Sequence, residues 1–366
     1  MCKLSDYINK TVDNRGRNPK YLSCGEYPVI DNVLIKNTLY PNIGEATRFL
    51  DQELYDNFLR GYVHRNMPIM TLVGNGIANV TLAPSDKVAI VQNTIGFDVN
   101  DRLDEVFLFY YLIYNRERIK NFNRGSGQPS IRKTDILGME VDIPPLDIQK
   151  KIVSVLYRID KKIHINGVVN ENLEQQAFAI FASRFSKVSE GDKTIGDYII
   201  PCRGKNLLSK DAISGSVPVV AGGLEPSTYH NVSNTQSPVL TISASGANSG
   251  FVRLWNQPVW SSDSSYIDSG MTEDVYFWYA MLKLRQKEIY DSQTGSAQPH
   301  IYPKHIAAMP VTNLDKDEMT TYSRLVTPLF NMIGSNVREN QRLADIRDAL
   351  LPKLMSGELN VSELDI

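Results

Sequence analysis

The chain has 366 residues, 42% of them hydrophobic and 22% charged, with a net charge of −2. That is long enough for two or three domains with their own cores, and the weak, balanced charge argues against a protein that holds nucleic acid by bulk electrostatics alone. Cys2, Cys24 and Cys202 show neither pairing nor ligand spacing, so neither a disulfide framework nor a zinc site is suggested. MCKLSDYINK lacks the apolar core of a signal peptide, and no apolar run approaches the ~18 residues of a membrane span. A reducing cytoplasm is the expected setting.

The chain begins with short β-rich runs, Pro28 to Ile35, Ile69 to Val73 and Ala89 to Thr94, bounded by Gly, Asn, Ser and Pro. Between them, GEATRFLDQELYDNFLRG carries Phe49, Leu50, Leu54, Phe58 and Leu59 at helical spacing and is expected to form a helix. A helix with a Phe/Tyr/Leu face is predicted from Asp104 to Phe122. A polar loop, Gly125-Ser-Gly-Gln-Pro129, and a closing strand near Met139 follow. Ile143-Pro-Pro145 then stops the strand and launches a long helix.

In that helix Ile152, Leu156, Ile159, Ile163, Asn166, Asn170, Leu173, Ala177 and Ile180 alternate spacings of three and four, a coiled-coil seam of about four heptads. Shifting the numbering by 170 places Leu329, Ile333, Asn336, Asn340, Leu343 and Leu350 in the same register. The matching asparagines point to an antiparallel pairing of the two helices with the polar positions near the middle.

The same offset reaches upstream. Pro68–Leu72 matches Pro238–Ile242, Gly76 matches Gly246, Phe107 and Leu112 match Phe277 and Leu282, and Gly295-Ser-Ala-Gln-Pro299 repeats the polar loop. Before Pro68 the offset becomes 190 or 191, with Tyr27–Ile30 against Val217–Val220, so about 20 extra residues lie in the first copy. The second copy has its own β-rich runs, Val217 to Ala221, Val239 to Ser243 and Val259 to Ser261, and a helix from Glu273 to Tyr290. A tandem duplication follows. The architecture expected is α+β: residues 1–146 a globular domain, 147–187 a central coiled-coil helix, 188–312 a second domain and 313–366 a C-terminal coiled-coil helix.

Searches for chemistry come back empty. Gly204-Lys205 lacks the earlier glycine of a phosphate loop, Ile143-Pro-Pro145-Leu146 is not the tetrapeptide of amino-methyltransferases, and Glu-x-Lys is missing altogether. Asp160-x-Lys162 lies on the coil, where a solvated charged face is the plainer reading. His64, His164, His230, His300 and His305 form no ligand set, and Ser243-Ala-Ser-Gly246 is not a nucleophile elbow.

Loops remain. Asn14-Arg-Gly-Arg17 and Cys202-Arg-Gly-Lys205 each flank a glycine with two cations, which suits phosphate contact or a solvated turn. Gln128 and Gln298 match between the copies, which favours a strand-capping role over base reading. Sequence readout is expected where the copies differ: in the insert, in Val73–Val80 against Ser243–Val252, and in Ser130, Arg132 and Lys133 against His300, Tyr302 and Lys304.

Ile143-Pro-Pro-Leu146 with Gln149-Lys-Lys-Ile152, Asn170-Glu-Asn-Leu173, the C-terminal Arg347-Asp-Ala-Leu-Leu-Pro-Lys-Leu-Met-Ser-Gly-Glu358 and the paired Gly-Ser-x-Gln-Pro loops resemble the specificity subunit of type I restriction–modification enzymes. The likeness spans essentially the whole chain. It implies two target-recognition domains, each reading half of a bipartite site in double-stranded DNA, on a coil that docks two methyltransferase subunits joined by motor–endonuclease subunits. It implies no catalysis, metal or cofactor in this chain; S-adenosylmethionine, ATP and magnesium would belong to the partners. The DNA contacts it points to are Arg15, Arg17, Asn75, Asn79, Arg124, Gln128, Arg132 and Lys133 in the first domain, and Arg203, Lys205, Asn248, Arg253, Gln298, His300, Tyr302 and Lys304 in the second. The competing reading is a two-headed coiled-coil scaffold that binds no DNA, which the low basicity favours.

Overall fold

The computed structural model describes residues 2–16, 19–125, 127–295 and 298–361. The chain divides into two compact units, Met1–Ile165 with Glu339–Ile366, and Asn166–Arg338.

Unit 1 is built on a four-stranded antiparallel sheet in the order Ile8–Val12, Thr94–Val99, Pro68–Thr71, Val80–Leu82. Pro68 opens its strand, the position at which a missing N–H is tolerated. A second sheet pairs Tyr27–Ile30 antiparallel with Phe49–Leu50 and parallel with Ala89–Ile90. Helix Glu105–Tyr114 buries Phe107 to Leu112 against the first sheet, and the Asp104 side chain caps it by accepting from Phe107 N at 2.9 Å. The α-helix that forms in the insert is the seven-residue Gln52–Phe58, capped by Asp51. The longer helix expected there is corrected: Phe49 and Leu50 lie opposite Pro28 and Tyr27 in the sheet, where Leu50 is fully buried.

Unit 2 repeats the plan. Cys202–Arg203, Ser264–Asp268, Val239–Ser243 and Val252–Trp255 form the larger sheet, and Thr228–His230, Val217–Val220 and Trp260–Ser261 the smaller. Helix Val275–Leu284 is buried through Val275 to Leu282. The expected helices 104–122 and 273–290 are each broken once, at Asn115 and Arg285, into a buried segment and a short second one. The closing strands are two residues only, Glu140–Val141 and Pro310–Val311, each preceded by a short helix (Lys133–Leu137 and Pro303–Ala307).

Two long helices run from Leu146 to Arg184 and from Lys316 to Met355. The first starts at the residue after Pro145; Asp315 Oδ1 caps the second by accepting from Asp317 N and Glu318 N. Within each unit their segments are antiparallel. In unit 2 Tyr322 donates to Ala177 O at 3.1 Å and Asn336 to Asn170 Oδ1 at 2.8 Å. In unit 1 Asn340 donates to Ile163 O at 3.4 Å, and Arg347 pairs with Asp160 at 2.7 Å.

The helices also enter the domain cores. Ile152, Leu156, Leu351 and Leu354 join the core of unit 1, and Ala177, Phe181, Tyr322, Val326 and Phe330 that of unit 2. Ile159, Ile163, Leu173, Leu329, Ile333, Leu343 and Leu350 are half-buried along the seam, and Asn166 is buried. The seam is therefore shared: helix against helix at its middle, helix against sheet-backed helix toward the domains.

Candidate nucleic-acid interface

In unit 1, strands Ile8–Val12 and Pro68–Thr71 both pair with Thr94–Val99, Val12 lying opposite Gly96 and Thr71 opposite Thr94. The chain leaves two strands and enters the third at one end of the sheet, which makes neighbours of residues 13–15, 72–76 and 91–93. Gly74, at φ +106, makes the turn after Leu72. The polar loop seals this end: Val73 bridges Ser130, Gly74 N donates to Pro129 O at 2.9 Å and Ile131 N to Leu72 O at 2.9 Å.

Asp13 organises the cations there. Lys133 Nζ is 3.6 Å from it and Arg15 Nε 3.7 Å. Asn75, Gln128 and Arg132 are exposed on the surrounding loops, and Arg124 pairs with Asp135 at 2.9 Å. Asn79 is different: its amide donates to Ile35 O at 3.0 Å and accepts from Asn37 and from Arg116 at 2.7 Å. Every polar atom of that side chain is committed inside the domain. Arg17 lies outside the described residues, as does Ser126 of the polar loop.

Unit 2 builds the same end from other side chains. Arg203 lies opposite Ser265 and Ser243 opposite Ser264; Ser245 bridges His300, Gly246 N donates to Pro299 O at 3.1 Å and Ile301 N to Ala244 O at 2.9 Å. Asp263 now holds the cluster, accepting from Arg203 at 2.5 Å through one oxygen and from the Ser245 hydroxyl through the other. The His300 and Tyr302 rings are near parallel at 5.9 Å, Lys304 Nζ sits 5.9 Å from the Tyr302 ring, and His305 meets that ring edge-on. Burial, helped by the Lys304 charge, pushes His305 below the usual histidine range, favouring the neutral ring. Lys205 and Gln298 are exposed, and Asn248 is half-buried in the turn before Phe251.

Arg253 is not gathered with the others. It lies on Val252–Trp255, the opposite edge of the sheet from Cys202–Arg203, with its guanidinium 4.1 Å above the Trp255 ring and a bond to Leu224 O at 2.5 Å.

The strand pairing sets the two cationic loops against each other at the 190-residue offset read from the sequence. Val12 opposes Gly96 and Cys202 opposes Tyr266, and residues 96 and 266 are equivalent at the 170-residue offset. Arg15 is therefore the counterpart of Lys205, and Asp13 that of Arg203. The organising acids Asp13 and Asp263 did not stand out in the sequence because single aspartates carry no motif. Among the described residues no cluster of three or more His, Cys, Asp or Glu is placed to hold a metal ion, and no helix is long and apolar enough to cross a membrane.

Comparison with known proteins agrees with this plan. A family described as "Type I restriction modification DNA specificity domain" matches residues 3–175. The HindI specificity subunit of Haemophilus influenzae is 30% identical over 356 residues, covering 69% of this chain and 77% of that protein. The MjaIX specificity subunit of Methanocaldococcus jannaschii is 28% identical, covering 77% of each chain. The crystal structure of a type I restriction–modification S subunit from M. genitalium shares the fold, with a TM-score of 0.55 at 19% identity over 96% of this chain and 95% of that one. The chain belongs to the specificity subunits of type I restriction enzymes.

Proposed function

We propose that this chain reads DNA for a type I restriction–modification complex. Each unit contacts half of a bipartite, asymmetric site in double-stranded DNA with its sealed sheet end, and the long helices dock two methyltransferase subunits that motor–endonuclease subunits join. One observation carries the reading, given the family: two sheet ends made by the same connections present different side chains, Asp13, Arg15 and Lys133 against Arg203, Asp263, His300 and Tyr302. Equal scaffolds with unequal surfaces suit unequal half-sites. Family membership favours this over the scaffold that binds no DNA.

The weak net charge is accommodated if the partners supply most phosphate contacts and this chain supplies local readout. For docking, Leu325 and Met332 are half-exposed seven residues apart on the second long helix, an apolar pair on one face. S-adenosylmethionine, ATP, magnesium and the chemistry itself are assigned to the partners, and the cytoplasm is the compartment where they meet.

The test is single-molecule sequencing of DNA from cells that carry this subunit with a cognate methyltransferase subunit. A split adenine-methylated motif that vanishes when this chain is deleted is the expected result. No motif from a demonstrably assembled complex would return the scaffold reading.

A further inference from the structure

Beside the unit 1 sheet end lies a cavity of about 200 Å³ walled by Tyr21, Asp31, Asn32, Arg48, Gln92 and Asn93. Its place is fixed by bonds to the candidate interface: Asn32 Nδ2 donates to Val73 O at 2.6 Å, Leu72 N to Asn93 O at 2.8 Å, and Asn14 Nδ2 to Ile90 O at 2.9 Å. It therefore opens among the same loops that carry Arg15 and Asn75. We propose that this cavity receives one nucleobase turned out of the duplex, while Val33 fills the gap left in the base stack; the inference rests on the DNA-reading function proposed above.

Size, lining and rim all point the same way. The volume falls below the roughly 300–1,000 Å³ of sites for drug-sized molecules and suits a single flat ring system. Tyr21 supplies an aromatic face with the Arg48 guanidinium 5.1 Å from its centroid, and Asp31 lies 3.7 Å from that guanidinium. Aromatic and guanidinium planes are the surfaces on which unpaired bases stack. Two carboxamides, Gln92 and Asn93, offer both donors and acceptors to a base edge. The bond to Val73 O fixes the Asn32 amide, and its Oδ1 is buried with no hydrogen-bond partner among the described residues.

Val33 at the rim is 71% exposed, the highest value among the large exposed hydrophobics of the described residues. One exposed valine is ordinary on a protein surface. Beside a base-sized cavity on a DNA-facing end, it has the character of the apolar wedges that enter base steps. Unit 2 lacks these parts: at the 190-residue offset Ala221, Gly222 and Gly223 stand for Asp31, Asn32 and Val33, and Arg48 belongs to the insert. The device is particular to the half-site read by unit 1.

The experiment uses the complex assembled with its methyltransferase subunits and the methylated site mapped as above, with each half assigned by exchanging residues 1–142 for another member's. Duplexes carrying 2-aminopurine or an abasic analogue at each position of the unit 1 half-site, on either strand, are titrated with wild type, Val33→Ala and Gln92→Ala. Both changes lie on exposed or rim side chains. The expected result is one position, distinct from the methylated adenine, where 2-aminopurine brightens at least threefold on binding, an abasic analogue binds more tightly, and either substitution removes most of the brightening. Normal site-specific binding with no such position, or with brightening that both substitutions leave unchanged, overturns the pocket while leaving the DNA-reading function standing. Absence of site-specific binding overturns both.

Discussion

The two places where the long helices meet their domains solve one structural problem with opposite chemistry. In unit 1 Tyr110 Oη donates to Asp160 Oδ2 at 2.8 Å, and Arg347 Nη1 donates to Asp160 Oδ1 at 2.7 Å; the Asp160 side chain is 5% exposed. Burial beside that carboxylate pushes the Tyr110 hydroxyl far above its ordinary range. Shifted by 170, the three positions become Ala280, Phe330 and Ala177. There Phe330 is fully buried and stacks on Tyr276 at 4.6 Å with the planes 10° apart. Unit 2 keeps a tyrosine–carboxylate bond elsewhere, Tyr279 to Glu174 at 2.5 Å, nearer the surface. Duplicated copies thus diverge in the core of a junction as well as in their reading surfaces. A buried ionic clamp gives little net stability against an apolar equivalent but fixes which segments pair, a role best attested for register in coiled coils.

The contrast can be broken in order of severity. Ending the chain at Arg338 removes Arg347, Leu351, Leu354 and Val361 from unit 1 but nothing from unit 2. Hydrogen exchange should show residues 2–165 losing core protection while 166–338 retain theirs; equal loss in both would mean the units do not fold separately. Arg347→Leu strands a buried carboxylate and should cost about 3–5 kcal/mol in urea unfolding. Phe330→Ala in unit 2 should cost a similar ~3–5 kcal/mol, by a cavity and a lost stack rather than an unpaired charge.

Importing the apolar solution is the sharper experiment. Tyr110→Ala, Asp160→Phe and Arg347→Ala together should cost less than Arg347→Leu alone, because no charge remains unpaired, and could be neutral to within about 2 kcal/mol. A triple variant worse than the single one would show that the junction depends on shape and not on charge. At the reading ends the effects are smaller: Lys205→Ala should weaken DNA binding equally for all sequences and lower the salt slope by about 1, while His300→Ala should relax only the unit 2 half-site.

Much of this plan is legible in the residues themselves. The offset of 170, the Ile143-Pro-Pro145 stop and the matched asparagines carry the duplication, the long helices and their antiparallel sense, because periodicity and punctuation are local signals. The strands Ile8–Val12 and Thr94–Val99 are less visible, since a central strand such as Thr94-Ile-Gly-Phe97 is buried on both faces and does not alternate. The insert misleads for a related reason: Phe49 and Leu50 have helical spacing to Leu54 and Phe58, but sheet pairing with Tyr27 and Pro28 outweighs it. For the reading ends, residue type singles out Arg15, Lys133, Arg203 and His300, but only the folded structure reveals that Asp13 holds the first two and Asp263 the third. Asn79 shows the converse, a polar residue in a variable segment whose bonds serve the fold.

Unit 1 is assembled from the two ends of the chain, whereas unit 2 is one uninterrupted segment. A ribosome releases these parts in sequence, so residues 166–338 can close their core while the first 165 still wait for Leu351 and Leu354, nearly two hundred positions downstream of Leu156. The half of the subunit made first is completed last. Any premature stop in the final helix therefore leaves an open apolar floor on a domain whose own coding sequence is intact, and quality control would act on the beginning of the protein for a fault at its end.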